Sequence, residues 1–424
     1  MLGQYVQALP GMLAPALLTM AMGVLLDVGE GRDRPVSRHW RTAGLLTGLV
    51  GAVVFTVLRT LVIVDRRSSV NLPVLLGAVA ADALMVAIVL RAGSITARRR
   101  DRPWMLHAAN AVAAVGIALT TFFALQDVIM QLTGFVEEGD SPFTSAMLLR
   151  ALGFASGVAT AVAVAALFRT MRSTAVRAAF VTASALLVVL ILLDHLTQLF
   201  SLMMSMMILT LHGLPFRILI LFANHEMWMV IGEALVFAIP AVASIVAGFR
   251  LTPDGENEAV GRAHRAFKRR AVAAGAWSLV AMVGVTVALT AGVAEVNRTP
   301  TLSPPEPYAV ESGVATIPFE QVDDGHLHRF AYTASDGTVM RFIIIRKNGG
   351  AYGVGLDACE TCGDAGYYEK DGKIICKRCD VAINLATIGF KGGCNPVPFD
   401  YTIADGAIEI HTAALDALSA HFAE

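Results

Sequence analysis

Long apolar segments alternate with short polar ones over the first 300 residues of the chain. A helix needs about 20 mostly apolar residues to cross the hydrocarbon core of a bilayer, and eight segments of roughly that length occur. We therefore predict an all-α polytopic membrane domain of about eight transmembrane helices. The predicted helices are Leu9 to Val28, Ala43 to Val64, Leu72 to Leu90, Ala108 to Leu125, Ala146 to Phe168, Ala178 to Phe200, Met227 to Phe249 and Ala271 to Val296.

The composition agrees with this pattern, since 55% of the residues are hydrophobic and only 16% are charged. Soluble domains carry about 25% charged residues, so the bilayer is expected to be the main solvent. The first apolar segment has no basic residues before it and no small-residue cleavage signature after it. We interpret it as a retained helix rather than a removed signal peptide.

The connections between the predicted helices alternate sharply in charge. One set holds 18 Lys or Arg residues, whereas the other holds only Arg66, Arg67 and Arg217. Because basic loops stay in the cytoplasm, we predict a multi-pass inner-membrane protein with both termini extracytoplasmic. The basic set is Arg32, Arg34, Arg38, Arg41, Arg91, Arg98, Arg99, Arg100, Arg102, Arg169, Arg172, Arg177, Arg250, Arg262, Arg265, Lys268, Arg269 and Arg270. One connection of the other set is acidic through Asp127, Glu137, Glu138 and Asp140.

A different composition begins after the last predicted helix. Residues 299–316 are rich in proline and predict a stiff linker between a membrane domain, 1–298, and a Cys-rich domain, 317–424. Strand-forming residues at Leu327 to Tyr332, Val339 to Ile345 and Ala407 to His411 predict a small, mainly-β domain that ends in a short helix. Residues 300–424 contain 9 Lys or Arg and 17 Asp or Glu, a balance that favours cations and excludes nucleic acid.

All five cysteines lie in this last domain. Cys359 and Cys362 form one C-x2-C pair and Cys376 and Cys379 form another, with a hairpin signal at Asp371-Gly372 between them. Two such turns present four thiolates to one metal, as zinc, a mononuclear iron or an iron–sulfur cluster requires. Cys394 follows two glycines and is a candidate to complete the ligand set or to exchange with one of its members.

Several interpretations of the cysteine pattern remain open. A structural zinc ribbon uses the same spacing, and paired disulfides form in oxidising compartments. The C-x2-C-x2-C-x3-C-P pattern of bacterial ferredoxins is absent. The motifs G-x-S-x-G, H-E-x-x-H, the P-loop and the dinucleotide fingerprint are also absent, so hydrolase and nucleotide-dependent activities have no support.

Ionisable residues gather near one end of the predicted helices, where they are costly and often functional. They suggest a pathway for a metal ion or axial ligands for a haem, although capping and hydrogen bonding between helices explain single members equally well. His326 and His328 alternate at the start of a predicted strand and are further candidate ligands. Asp82 and Arg59 lie deeper, and pairing with each other is the alternative to a functional role for them. The candidates at the helix ends are Asp127, Asp194, His195, His212, His225, Glu226 and Glu233.

The motifs of the last domain resemble one known family. These motifs are residues 324–330 (DGHLHRF), 356–363 (LDACETCG), 366–367 (GY), 376–379 (CKRC) and 392–396 (GGCNP). Together they resemble the FtrD-like membrane iron-sulfur proteins. The resemblance implies an iron or iron–sulfur centre at Cys359, Cys362, Cys376 and Cys379 and electron handling in a bacterial iron-uptake system. It also implies an iron permease and periplasmic iron-binding and cupredoxin-like proteins as partners.

Three functions follow from these observations. The first is an accessory redox or metal-handling subunit of an iron importer. The second is a metal transporter in its own right, with the Cys-rich domain as receptor. The third is a structural zinc module that docks a partner.

Overall fold

The computed structural model describes residues 1–28, 36–135, 143–250, 257–298, 300–347, 350–370 and 372–423. The chain forms two compact units, Met1–Asn297 and Arg298–Glu424, and each is described by itself. Some residues used in the sequence analysis lie outside the described residues. They are Arg32 and Arg34 of the first basic connection, Glu137, Glu138 and Asp140 of the acidic connection, and Asp371 of the hairpin turn.

The first unit is helical. In the described part of the chain, eight helices are long and apolar enough to cross a membrane, which confirms the predicted number. Helices α8 and α9 together form the seventh of these spans, and α10 continues through a π-helical turn, Ala288–Gly292, into α11 to form the eighth. The helices are α1 (Leu2–Leu26), α2 (Val36–Thr60), α3 (Arg67–Ala97), α4 (Pro103–Met130), α5 (Ser145–Thr170), α6 (Arg177–Ser205), α7 (Gly213–Asn224), α8 (Glu226–Leu235), α9 (Ala238–Arg250), α10 (Glu258–Val287) and α11 (Val293–Val296).

Helix α1 lies in the middle of the helical unit, where it packs against α4, α5, α6 and α8. Its apolar side chains Leu9, Leu13 and Leu17 are fully buried. Such burial is unusual for a helix that faces lipid, so α1 serves as the core around which the other spans assemble.

Helices α2 and α4 approach closely through small residues. A Cβ atom added at Gly44 would lie 2.4 Å from the carbonyl oxygen of Ala114, and one added at Gly48 would lie 2.4 Å from that of Ala118. The two glycines are four residues apart and therefore occupy the same helix face. This is the small-xxx-small packing by which membrane helices bring their backbones together.

The seventh span is interrupted between α8 and α9. Pro240 has no N–H to donate to the carbonyl group of Val236, four residues earlier. The chain instead forms tighter turns there, with Phe237 N donating to Ala234 O and Ile239 N donating to Val236 O. The proline thus explains why one predicted helix is observed as two.

Helix α7 was not predicted by the sequence analysis. With 12 residues it is about 18 Å long, too short to cross the bilayer as a helix. Its apolar side chains Leu214, Ile218 and Leu221 are exposed in the isolated chain. It follows α6 and precedes the seventh span, and both flanking residues, His212 and His225, belong to the candidate set.

The second unit contains three antiparallel sheets, as the prediction of a small, mainly-β domain requires. The predicted strands are observed as β3, β4 and β10, and β6 and β7 form the predicted hairpin between the cysteine pairs. The sheets have the strand orders β1-β2-β10-β9, β3-β4-β5 and β6-β7-β8. The strands are β1 (Ala309–Glu311), β2 (Val314–Pro318), β3 (His328–Thr333), β4 (Val339–Arg346), β5 (Tyr352–Leu356), β6 (Tyr367–Lys370), β7 (Lys373–Cys376), β8 (Ala382–Ile383), β9 (Thr402–Ala404) and β10 (Ala407–His411), with short helices α12 (Phe319–Val322) and α13 (Thr412–Asp416).

The segment predicted as a linker, 299–316, takes part in the second unit. It supplies β1 and the first half of β2. Further upstream, both the carbonyl oxygen and the hydroxyl of Ser303 accept hydrogen bonds from the buried Arg329, and Glu306 bonds to His328. This segment therefore packs onto the second unit through its strands and through Ser303 and Glu306.

Candidate metal centre

The first cysteine pair lies in a tight turn directly after β5. The main chains of Cys359 and Gly363 exchange two hydrogen bonds of 3.0 Å, and Gly363 adopts a φ of +67° that favours glycine. The amide of Cys362 donates to the sulfur of Cys359 at 3.1 Å. This hydrogen bond helps to fix the position of the Cys359 sulfur within the turn.

The second pair lies at the end of β7 and is tied to the first. The amide of Lys377 donates to the carbonyl oxygen of Gly366, and the guanidinium of Arg378 donates to that of Cys362 at 3.1 Å. Within the turn, Cys376 N bonds to the carbonyl oxygen of Val381. These contacts hold the two turns face to face.

A third segment brings Cys394 to the other thiols. Gly392 and Gly393 have φ values of +117° and +62°, conformations that side chains other than glycine rarely adopt. The hydroxyl of Tyr367 donates to the carbonyl oxygen of Cys394 at 2.6 Å, and that of Thr361 donates to Gly393 O at 3.2 Å. Burial raises the pKa of Tyr367, so its hydroxyl keeps the proton that it donates.

All five sulfurs converge in two overlapping groups. The sulfurs of Cys359, Cys362 and Cys376 lie within 4.8 Å of one another, and so do those of Cys362, Cys379 and Cys394. Cys362 belongs to both groups, and the sulfurs of Cys379 and Cys394 are 3.6 Å apart. All five thiols are free.

The environments of the five thiols differ. Cys359, Cys362 and Cys376 are buried, Cys394 is half-buried and Cys379 is exposed. Burial raises the pKa of Cys362 and of Cys376, whereas an amide hydrogen bond from Val381 lowers the pKa of Cys379. The thiol that faces solvent is therefore also the one whose ionised form the protein stabilises.

The donor set fits a metal that prefers sulfur. In a tetrahedral centre with metal–sulfur bonds of about 2.3 Å, neighbouring sulfurs are about 3.8 Å apart. The sulfurs within each group of three are compatible with that separation, whereas Cys379 belongs to a different group from Cys359 and Cys376. Five thiols exceed the four ligands of one tetrahedral ion, so one of them is available to exchange or to enlarge the centre.

A buried ion-pair network lies next to the cysteine turns. Asp357 is fully buried and accepts hydrogen bonds from the guanidinium groups of Arg329 and Arg341 at 2.8 and 3.0 Å. Its other oxygen accepts from the amide of Tyr367 at 2.8 Å, and Arg329 also donates to the carbonyl oxygen of Tyr367. The sequence analysis did not assign these residues a role, although Arg329, Asp357 and Tyr367 lie within the quoted motifs.

The two candidate histidines of this unit bind carboxylates, and neither belongs to the two sulfur groups. His326 precedes β3 and its Nδ1 lies 2.9 Å from Glu369, while His328 begins β3 and bridges Glu306 and Asp324. The hydrogen bond with Glu369 raises the pKa of His326. Their role as metal ligands stays a prediction.

In the helical unit, the structure brings some candidates together and separates others. Asp127, Asp194, His195, Glu226 and Glu233 line one cavity. His212 and His225 do not line it, and instead flank α7. Among the described residues, the groups of three or more metal-binding side chains within 4.8 Å are the two cysteine groups. A metal pathway or haem ligation by the helical residues stays a prediction.

The alternative pairing of Asp82 with Arg59 is wrong. Asp82 lies in the middle of α3 and its Oδ2 is 2.7 Å from Nδ1 of His195 in α6. These two residues are 113 positions apart in the chain, so no local pattern indicates their contact. In the sequence, Asp82 stands out only as an acidic residue within an apolar helix. This indicates that it has a polar partner but does not indicate which residue the partner is.

Eight apolar helices followed by a β-rich unit with clustered thiols define a multi-pass membrane protein with a candidate metal centre. Residues 322–422 match the model of a family described as membrane iron-sulfur containing protein FtrD-like. The match confirms the resemblance and suggests a membrane protein related to iron uptake. No curated protein and no solved structure matches the chain.

Proposed function

We propose that the protein is an accessory membrane subunit of a bacterial iron-uptake system and handles electrons or iron through its cysteine centre. The observation that carries this proposal is the convergence of five thiols from three chain segments, in a unit that matches an iron–sulfur family. Proteins use clustered thiolates of this kind to hold iron and iron–sulfur centres.

We assign the cysteines different roles according to their positions in the chain. Cys359, Cys362, Cys376 and Cys379 are the proposed ligands, and Cys394 is the proposed fifth thiol. Iron held by these residues would change oxidation state without leaving its thiolates, which is the chemistry of an electron carrier. Zinc has no such redox chemistry, so the identity of the metal separates the redox function from the structural zinc module.

The proposed location is the bacterial inner membrane, with the cysteine unit and both termini outside the cytoplasm. Arg41 comes from one basic connection and Arg169 and Arg172 from another, yet all three lie within 4.0 Å of the carboxylate of Asp27. Basic residues that gather at one end of the helices support a cytoplasmic position for that end.

Labelling tests this orientation. A membrane-impermeant thiol reagent applied to intact spheroplasts is expected to modify the exposed Cys379, with a C379S variant as the control for specificity. Labelling that occurs only in inverted vesicles would contradict the proposed orientation.

Anaerobic purification of the full chain tests the centre itself. We expect iron bound in stoichiometric amounts and broad visible absorption from sulfur-to-iron charge transfer, both reduced in C362S because Cys362 belongs to both sulfur groups. A colourless protein with stoichiometric zinc would favour the structural module instead. A metal-free protein with paired disulfides would overturn the proposal, and a Soret band would indicate haem.

The proposed partners are an iron permease and periplasmic iron-binding and cupredoxin-like proteins, as the family resemblance implies. Co-purification with a permease from native membranes supports this assignment. The alternative, a transporter in its own right, predicts metal flux into proteoliposomes that contain this protein alone. The accessory function predicts no such flux.

A further inference from the structure

A polar cavity lies among helices α1, α4, α6 and α8, separate from the cysteine centre. It has a volume of about 200 Å³, and Asp194, His195 and Glu233 are among the residues that line it. A second cavity of about 510 Å³ has Asp127, Asp194 and Glu226 in common with the first. Acidic side chains therefore line both cavities within the membrane-spanning helices.

Two of these acidic side chains, Glu233 and Asp194, each have a buried oxygen without a hydrogen-bond partner among the described residues. Glu233 is only 3% exposed, and its Oε2 has no hydrogen-bond partner in the described part of the chain. Asp194 accepts one hydrogen bond at Oδ2 from Gln198 at 2.9 Å, while its buried Oδ1 has none among the described residues. A carboxylate oxygen that is buried in this way is strongly destabilised unless a proton or a cation neutralises it.

The surroundings supply too little positive charge. The charged or titratable residues lining the two cavities, within the described ranges, are Arg67 from α3, Asp127 from α4, Asp194 and His195 from α6, and Glu226 and Glu233 from α8. Arg67 pairs with Asp127 at 3.0 Å, and His195 bonds to Asp82. Asp194, Glu226 and Glu233 have no ion-pair partner among those side chains.

A hydrogen-bonded pair extends from the cavity toward the centre of the helices. His195 is 3% exposed and lines the cavity, and its Nδ1 lies 2.7 Å from Oδ2 of Asp82. Asp82 is fully buried and is the central residue of α3, about 22 Å of helix from either end. Its Oδ1 has no hydrogen-bond partner among the described side chains.

Protons suit this arrangement better than a chelated metal ion. Chelation requires several ligand atoms that converge on one point, and no three His, Asp or Glu residues in the described part of the chain bring ligand atoms within 4.8 Å of one another. A proton, by contrast, neutralises a single carboxylate at its own position and needs no other ligand atoms nearby. Chains of Asp, Glu and His residues within membrane helices commonly form proton relays.

We propose that the cavity is a proton-uptake path, in which Glu233 and Asp194 hold protons taken from water and His195 passes them to Asp82. A proton binds Nε2 of His195 while the proton on Nδ1 moves to Oδ2 of Asp82, so the imidazole returns to neutral and the carboxylate becomes a carboxylic acid. The relay is independent of the metal at the cysteine centre. It gives the helical unit a function in proton transfer beyond anchoring that centre.

Infrared difference spectroscopy of the full chain in lipid vesicles tests the proposal. The C=O stretch of protonated carboxyl groups is recorded as a function of pH, and its shift in D₂O identifies exchangeable protons. We expect E233Q, D194N and D82N each to remove part of this band. The exposed Glu258 provides the matched control, since E258Q is expected to leave the band unchanged. Circular dichroism verifies that each variant is folded.

A second variant tests the order of the relay. H195Q is expected to retain the Glu233 part of the band and to slow deuterium exchange of the Asp82 part. An absent carboxylic acid band, or a band that E233Q and D82N leave intact, would overturn the proposal. Displacement of the band by stoichiometric Mn²⁺, detected by electron paramagnetic resonance, would also overturn it in favour of a cation site. The visible spectrum of the cysteine centre is recorded in parallel, so failure of either proposal is recognised separately.

Discussion

The hydroxyl of Tyr367 donates a hydrogen bond of 2.6 Å to the main-chain carbonyl oxygen of Cys394. Tyr367 begins β6, between the two C-x2-C turns, whereas Cys394 lies in a separate glycine-rich loop. This bond therefore fixes the fifth thiol relative to the other four.

Replacing Tyr367 by Phe should loosen the loop that carries Cys394. The change removes one hydrogen bond, worth about 1 kcal/mol, and leaves the aromatic ring in place. We expect faster alkylation of Cys394 in the metal-free full chain, measured by mass spectrometry of its peptide. Y308F is the matched control, because the hydroxyl of Tyr308 also donates to a carbonyl oxygen, that of Ala331. Equal alkylation rates in both variants would show that the bond does not hold the loop.

Replacing Asp357 by Asn should destabilise the second unit strongly. The variant leaves Arg329, which is 1% exposed, without its carboxylate partner. Breaking a buried ion pair in this way typically costs about 3–5 kcal/mol. Hydrogen exchange of peptides from β3 to β5 in the metal-free full chain measures the loss. D400N, at an exposed aspartate outside these strands, should leave this exchange unchanged, and similar exchange in D357N would contradict the prediction.

Replacing Gly48 by Ala should separate α2 from α4. The added methyl group would meet both the carbonyl oxygen of Ala118 and the side chain of Thr121. Overpacking of this kind costs about 1–3 kcal/mol. Thermal unfolding in detergent should therefore begin at a lower temperature. In G93A the added Cβ has no heavy atom within 4 Å, so that variant should be as stable as the parent protein or slightly more stable.

The pKa of His326 should depend on Glu369. Their hydrogen bond raises the histidine pKa above its ordinary value of 6.5. The stabilisation from this pair is consequently complete below pH 6.5 and disappears as the pH rises through the higher pKa of the folded protein. NMR titration of histidine-labelled full chain, with H326Q for assignment, measures the shift. E369Q should return the pKa toward 6.5, and an unchanged titration would contradict the assigned cause.

The sequence predicted the features that depend on local pattern. Membrane-spanning helices require long apolar segments, and strands β3, β4 and β10 contain alternating or clustered β-branched residues. The spanning helices and these strands can therefore be recognised from the sequence. The two C-x2-C pairs likewise indicate the turns in which the cysteines lie. Helix α7 was missed because a mostly apolar segment of 12 residues is ambiguous between a loop, an interfacial helix and part of a span.

Long-range contacts were not predictable from the same patterns. The pairing of Asp82 with His195 depends on how α3 packs against α6, and the ion pairs of Asp357 depend on the arrangement of β3, β4 and β5. Ser303 and Glu306 lie in a proline-rich stretch whose extended conformation was predicted. Their attachment to the second unit depends on partners more than 20 residues away.

The unequal exposure of the five thiols gives the cysteine centre a single accessible side. Cys359, Cys362 and Cys376 form its inner wall, and Cys379 reaches the surface. If the proposed function holds, a protein that exchanges electrons with the centre would approach it past Cys379. Thiophilic poisons such as mercury or silver ions would arrive by that same route and would bind the Cys379 sulfur first.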